Sequence, residues 1–218
     1  MIVAIDGPSG VGKSTIARAI AGARGMHYLD TGATYRAATA AVIDGGQDPD
    51  DESAVVSLAR TIDIDYLHGT VTLDGIDVTR RVRDSDVTAA VSAVSAYPDV
   101  RTAIVEIQRE WVEQHPGGAV VEGRDIGSVV FPDAAVKIFL TADPQIRAAR
   151  RAGDVEAAGA SHSAVAEDLA RRDHYDSTRK ASPLTAADDA HIVDTSHMTI
   201  EEVVDLVLGL VDAAASAG

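Results

Sequence analysis

Apolar positions along the chain fall into short dense runs separated by segments of helical period, an alternation that predicts an α/β fold. Ile2–Ile5 is a compact apolar run ending in a glycine-rich turn, and Lys13–Arg24 has helical composition. His27–Leu29 reads as a second strand, with a helix over Thr34–Ile43 behind it. Ala119–Val121 and Val136–Leu140 are further β-rich runs, and Ile192–Val193 is a shorter one. Parallel strands covered by helices on both faces read as continuous apolar runs of this kind. Near the C-terminus, Ile200, Val203, Val204, Val207, Leu208 and Val211 line one face of a helix, and that stripe is expected to pack on the sheet. Thr199 and Glu202 form a capping-box pair at its start.

The middle of the chain changes period. Ile62–Leu67, Val71–Leu73 and Ile76–Val78 alternate apolar and polar positions, separated by His68-Gly69 and Asp74-Gly75. Those dipeptides are hairpin turn signals, so a small antiparallel meander is expected inside the α/β chain. Helices should follow around Asp84–Ser95 and Pro98–Gln114. The Ala/Gly-rich stretch Ala152–Ser163 reads as a mobile loop or hinge, and the Ala-rich end, Ala213–Gly218, should fray.

Charge and composition narrow the function. The 218 residues carry a formal net charge of −15, which repels phosphate backbones and argues against nucleic-acid or anionic-membrane binding. With no cysteine, a disulfide framework, a Cys nucleophile and a thiolate metal site are excluded. No apolar run approaches the length of a membrane span, and the N-terminus lacks a secretory signal pattern, so a cytoplasmic protein is expected. Of the 19 basic residues 16 are Arg, the side chain suited to bidentate grip on phosphate or carboxylate, although codon bias explains such a count equally well. Position says more than number: Arg147, Arg150, Arg151, Arg171, Arg172 and Arg179 lie in one short stretch.

Gly7-Pro8-Ser9-Gly10-Val11-Gly12-Lys13-Ser14 fits G-x-x-x-x-G-K-[ST] between a strand and a helix, with Thr15 next. In such a loop backbone N–H groups converge on phosphate oxygens, Lys13 reaches the β- and γ-phosphates, and the Ser14 hydroxyl can ligate Mg²⁺. A switch GTPase would need an Asn-Lys-x-Asp reader, and the chain has no asparagine. A motor ATPase would end a hydrophobic strand in Asp-Glu, whereas Val120-Val121-Glu122-Gly123-Arg124-Asp125 follows its acid with an arginine two positions on. That arginine suits a second anionic substrate better than a hydrolytic water.

Several ordered motifs then resemble one family. They are Ile5–Thr15, Leu29-Asp30-Thr31-Gly32-Ala33-Thr34-Tyr35-Arg36, Gly123-Arg124-Asp125-Ile126-Gly127, Val129–Ala134, and Arg171-Arg172-Asp173 with Asp176 and Arg179. Over essentially its whole length the chain resembles the bacterial cytidylate kinases of the nucleoside monophosphate kinase group. The resemblance implies a five-stranded parallel sheet with flanking helices, formed by 1–55, 97–146 and 164–218. It also implies an acceptor-binding antiparallel insertion at 56–96 and a lid at 147–163. ATP would be the donor, with Mg²⁺ as cofactor, and CMP or dCMP the acceptor. Separately, no long exposed apolar heptad run suggests a coiled-coil dimer, so a monomer is the default expectation.

The resemblance also assigns residues. Arg36, Arg124 and Arg179 would hold the acceptor phosphate, although a solvated helix position is the plain reading of Arg36 alone. Ser92, Arg101 and Asp125 would read the cytosine, whose amino group offers a donor beside two acceptors. Ser92 could equally bond a carbonyl one turn back. Asp176 would accept from the ribose, Thr31 stands where relatives often have Ser, and Arg172 would lie beside the phosphates. The stretch 147–163 has few charges after Arg151, which is the ATP candidate there while the arginine that closes over ATP stays open. Asp30 would order Mg²⁺-bound water or simply cap a helix. Closure of insertion and lid over both substrates would exclude water. The competing readings are a P-loop kinase for another small acceptor and a non-catalytic nucleotide-dependent regulator.

Overall fold

A computed structural model describes residues 1–67, 69–155, 162–179 and 181–217. Among the described residues, eight strands and eight α-helices follow one another as β1 (Ile2–Asp6), α1 (Lys13–Arg24), β2 (His27–Asp30), α2 (Thr31–Asp44), α3 (Glu52–Ala59), β3 (Ile64–Leu67), β4 (Thr70–Leu73), β5 (Ile76–Asp77), α4 (Ser85–Val94), α5 (Pro98–Gln114), β6 (Ala119–Gly123), β7 (Val136–Thr141), α6 (Pro144–Val155), α7 (His162–Thr178), β8 (His191–Asp194) and α8 (Ile200–Ala217). A five-stranded parallel sheet has the order β2-β6-β1-β7-β8, and a separate sheet has the order β3-β4-β5. The expected architecture is therefore present, including the antiparallel meander, with Ile64 opposite Leu73 and Thr72 opposite Asp77.

The chain divides into two compact units, Met1–Met26 with Ala119–Gly218, and His27–Gly118. In the first, β1 is central and pairs in parallel with β6 and β7, putting Ile5 opposite Glu122 and Asp6 opposite both Gly123 and Phe139. Val3, Ala4, Ile5, Val120, Val121, Ile138 and Leu140 are buried, so the apolar runs mark strands covered on both faces. α8 packs on α1 and β7. Its start is the anticipated capping box, with Glu202 accepting from the Thr199 N–H at 2.8 Å and the Thr199 hydroxyl accepting from Glu202 N–H at 3.2 Å. Val203, Val207 and Val211 are buried, but Ile200 is 53% exposed, because the first turn projects beyond the surface it packs on.

In the second unit α2 is the organising helix, packing on α3, α4 and the meander, while α5 packs on α3 and β3. Val55, Tyr66, Val87, Val94, Val100, Ile104 and Trp111 fill its core.

Four expectations need correction. α2 begins at Thr31 rather than Thr34, because the Asp30 side chain accepts from Ala33 N–H and caps it early. α3 has no counterpart in the sequence reading. The supposed loop Ala152–Ser163 is largely helical at its ends: alanine favours helix, α6 continues through Val155, and α7 starts at His162. Residues 156–161 lie outside the described residues, and with them the middle of the expected lid. The Ala-rich C-terminus does not fray from Ala213, since α8 continues through Ala217. Among the described residues, no helix is long and apolar enough to cross a membrane.

The two capping bonds of α8 are reciprocal and local. Thr199→Ala should therefore lower unfolding free energy by about 1 kcal/mol in urea titrations. A change below roughly 0.3 kcal/mol would show that packing alone sets this helix start.

Candidate active site

In the first unit, β1 delivers the chain to Gly7, whose φ is +147° and where a Cβ would lie 2.3 Å from the Leu140 carbonyl oxygen. Only glycine fits a turn made that close to the neighbouring strand. The loop runs to Gly12, and α1 begins with Lys13 and the half-buried Ser14, so the loop amides and helix N-terminus face the same region. Lys13 is buried and its Nζ donates to the Pro8 carbonyl at 2.8 Å.

Ser9 is held by all three of its polar groups. Its hydroxyl accepts from Arg124 Nη2 at 2.7 Å, its carbonyl from Arg147 Nη1 at 3.0 Å, and its N–H donates to Asp173 Oδ1 at 3.3 Å. Arg147 and Asp173 are themselves paired at 2.5 Å, from α6 and α7. These helices meet through Ala148, Val165 and Leu169. Arg124 follows β6 and pairs through Nε with Asp176 Oδ2 at 2.7 Å. Asp176 lies 3.9 Å from Arg179 Nη1, and Arg179 Nη2 is 3.5 Å from Asp125 Oδ1. Arg172 pairs with Asp168 at 3.0 Å, and Arg151 is half-buried near the end of α6.

Lys13, Arg124, Asp125, Asp176 and Arg179 thus form one buried network of opposite charges. Burial, reinforced by the Arg124 charge, holds the Lys13 ammonium well below its ordinary pKa against the pull of Glu122, Asp176 and Asp6. Burial also works against the Arg124 charge, but Asp176 outweighs it and keeps the guanidinium above its usual value. Arg124 and Arg179 likewise overcome the desolvation of Asp176 and hold its carboxyl low. Arg172 is shifted downward, first by burial and then by Arg151, Arg124 and Arg171, with Asp168 opposing. The crowding of Arg172 by Arg151, Arg124 and Arg171 is of the kind that an anion such as phosphate relieves.

The second unit holds the other assigned residues. Arg36 is not solvated, because its Nη1 donates to the Thr88 hydroxyl at 2.8 Å and to the Val82 carbonyl at 3.3 Å. Arg101 is buried, with its guanidinium 5.2 Å from the Tyr35 ring centroid and Nη1 donating to the Ser95 carbonyl at 3.2 Å. Thr31 is buried at the first turn of α2. Ser92 is half-buried, and it is Ser95 whose hydroxyl bonds a backbone carbonyl, that of Ser92. Asp30 caps α2 and lies 3.5 Å from Arg83.

Known proteins resolve which P-loop family this is. The sequence matches the cytidylate kinase family over residues 3–213. It is 50% identical over 216 residues to the cytidylate kinase of Streptomyces avermitilis, covering 97% of this chain and 93% of that one. The corresponding enzyme of Corynebacterium glutamicum is 50% identical over 221 residues, covering 99% and 96%. The chain belongs to the cytidylate kinase family. In fold it is similar to TT1252 from Thermus thermophilus, with a TM-score of 0.52 and 18% identity over 98% of this chain and 96% of that one. The protein is therefore a phosphotransferase, a kinase of the nucleoside monophosphate type.

In this kinase the first unit brings together Gly7 to Thr15, Arg124, Asp125, Asp176 and Arg179, and the second gathers Arg36, Ser92 and Arg101 around α2 and α4. Arg147 and Asp173 received no role from the sequence, although both sit in motifs or arginine clusters that drew notice. Their grip on Ser9 comes from chain segments more than 130 residues away and has no local signal. Asp6 was also passed over. Its carboxylate accepts from Ile126 N–H and Gly127 N–H, both at 2.8 Å.

Burial pushes the Asp6 carboxyl up from 3.8 to about 6, despite those two donors, and Asp125 adds to the rise. A folded-state pKa above the unfolded one gives stabilisation that is complete below the unfolded value and lost as pH climbs through about 6. Relative to Asp6→Asn, the wild type should lose up to about 3 kcal/mol of stability between pH 4 and pH 7, at ~1.4 kcal/mol per unit. Urea unfolding of both proteins across that range is the check, and a difference that stays flat or widens contradicts the assignment.

Proposed function

We propose that the kinase transfers the γ-phosphoryl group of Mg-ATP to CMP or dCMP, giving ADP and the cytidine diphosphate. The observation that carries this reading is Arg124: it touches the P-loop at Ser9 through Nη2 and Asp176, the neighbour of Arg179, through Nε. A single guanidinium placed so can neutralise charge developing on a phosphoryl group passed between a P-loop donor and an acceptor phosphate. Phosphoryl transfer through a loose transition state demands alignment and cation density more than a general base. Lys13 supplies charge to the donor's β- and γ-phosphates, with the loop amides and Arg151 assisting. Arg36, Arg124, Arg172 and Arg179 supply it on the acceptor side.

Base selection is assigned to Asp125, Arg101 and Ser92. Asp125 is 4% exposed, so pairing its carboxylate with the cytosine amino group satisfies a charge that the protein has already desolvated. Uracil presents an acceptor at that position and leaves the carboxylate without its donor. Asp176 accepts from the ribose, and Thr31 adds a hydroxyl to the CMP-binding set.

Among the described residues no cluster of three His, Asp or Glu could cage a metal. That donor set fits Mg²⁺, which binds through substrate phosphates, waters and one or two protein oxygens. Ser14 at the start of α1 is the hydroxyl to hold it, with Asp30 acting through water. Held there, the ion would neutralise phosphate charge.

ADP release from Mg-ATP should be rapid with CMP and dCMP and slow with UMP and AMP. Asp125→Ala should lower kcat/KM for CMP by about 100-fold while changing the UMP value little. Preferred turnover of UMP or AMP would keep the phosphotransferase and refute the base-reading assignment. Absence of turnover on all four would refute the reaction.

A further inference from the structure

β1 ends in a carboxylate that no step of the proposed reaction uses. Asp6 is buried directly ahead of Gly7, in the field of Asp125 and Lys13. Burying a carboxylate beside another one is unfavourable unless its oxygens find strong donors. Each Asp6 oxygen finds one, the N–H groups of Ile126 and Gly127 at 2.8 Å. These are the first two amides after Asp125, and they open the π-helical turn Ile126–Val130. The same turn is tied back to Asp125, whose carbonyl accepts from Val129 N–H at 2.9 Å and Val130 N–H at 3.1 Å. On its other side the turn meets Lys137, since a Cβ on Gly127 would lie 3.2 Å from the lysine stem, and Lys137 Nζ is fixed by Asp189 at 2.8 Å. The turn therefore cannot slide toward β7, and Asp6 stops it from lifting away.

We propose that Asp6 is a positioning residue for acceptor discrimination: by clamping the amides of Ile126 and Gly127 it fixes the direction in which Asp125 presents its carboxylate. This rests on the reading of Asp125 as the group that recognises the cytosine amino function. Because Asp6 also leads into Gly7, one side chain ties the entry of the P-loop to the turn that selects the acceptor. Two backbone donors converging on one carboxylate define its orientation more tightly than a single cap bond would, and misplacement of a recognition group by a fraction of an ångström weakens selection.

The test is kcat/KM for CMP and for UMP at saturating Mg-ATP, in the wild type, Asp6→Asn, Asp125→Ala and the double variant. Asparagine keeps the shape but turns an N–H toward one of the two backbone donors. Asp6→Asn should lower the CMP-to-UMP ratio about tenfold or more and leave KM for ATP within about twofold. In the Asp125→Ala background it should change the ratio no further, because its effect runs through that carboxylate. Equal loss on CMP and UMP, or an equal drop in ratio in both backgrounds, overturns the proposal and leaves Asp6 a structural residue. A ratio lost in Asp125→Ala and intact in Asp6→Asn overturns it while sparing the base-reading assignment. A ratio intact in Asp125→Ala overturns both. If Asp6→Asn does not fold, the wild-type amide proton shifts of Ile126 and Gly127 decide. Both should move together with a midpoint near pH 6, and amides that do not titrate overturn the clamp.

Discussion

Opposite charges buried at the carboxyl ends of β1 and β6 are the constraint on which the first unit depends. Lys13 and Arg179 are held out of water and Arg124 largely so, and each would be expensive there without Asp6, Glu122, Asp125 and Asp176. Such a network contributes little net stability, because desolvation offsets most of the attraction. On the proposed reaction its value is preorganisation, since cations and backbone dipoles fixed before the substrates bind leave little reorganisation for the chemical step. Parallel pairing makes this possible. β6 and β7 both run alongside β1, so Gly7, Arg124 and the Leu140 carbonyl arrive at the same edge of the sheet.

The loop itself is controlled from a distance. Ser9 takes one bond from each of three separate segments, the Arg124 turn, α6 and α7. The Arg147–Asp173 pair locks the two helices together at the point where they touch the loop. Those helices are the roots of the segment expected to act as a lid. Any shift between them is transmitted to Ser9 through bonds of 3.0 and 3.3 Å, and from Ser9 to Arg124. Three polar contacts thus join the loop to the Arg124 turn and to α6 and α7, beside the apolar cluster of Ala148, Val165 and Leu169.

Much of this was legible in the sequence because the signals are local. The P-loop declares itself by spacing, α1 by its composition, the meander by His68-Gly69 and Asp74-Gly75, and α8 by Thr199 and Glu202. The capping power of Asp30 was read as one of two options, yet its consequence, a helix starting three residues early at Thr31, was not drawn. α3 escaped because eight residues hold barely two turns, too few for a stripe to stand out. The stretch at 213–217 reads as flexible by composition although alanine is the strongest helix former, and α6 runs on through Gly153 to Val155 as a continuation of a helix already formed. Side-chain roles divided the same way. Residues whose role the family pattern implies are legible in their motifs, whereas Asp6 and Asp173, inside motifs, and Arg147, in an arginine cluster, bond across 26 to 164 positions of sequence, and such bonds leave no periodic or compositional trace.

The central claim is that this charge network passes a phosphoryl group directly from the P-loop donor to a cytidine monophosphate. The most direct measurement follows the label from [γ-³²P]ATP during a single turnover with excess enzyme and CMP. The account predicts that the label appears in CDP, with little inorganic phosphate. Label released mainly as inorganic phosphate, at a rate indifferent to CMP, would contradict it.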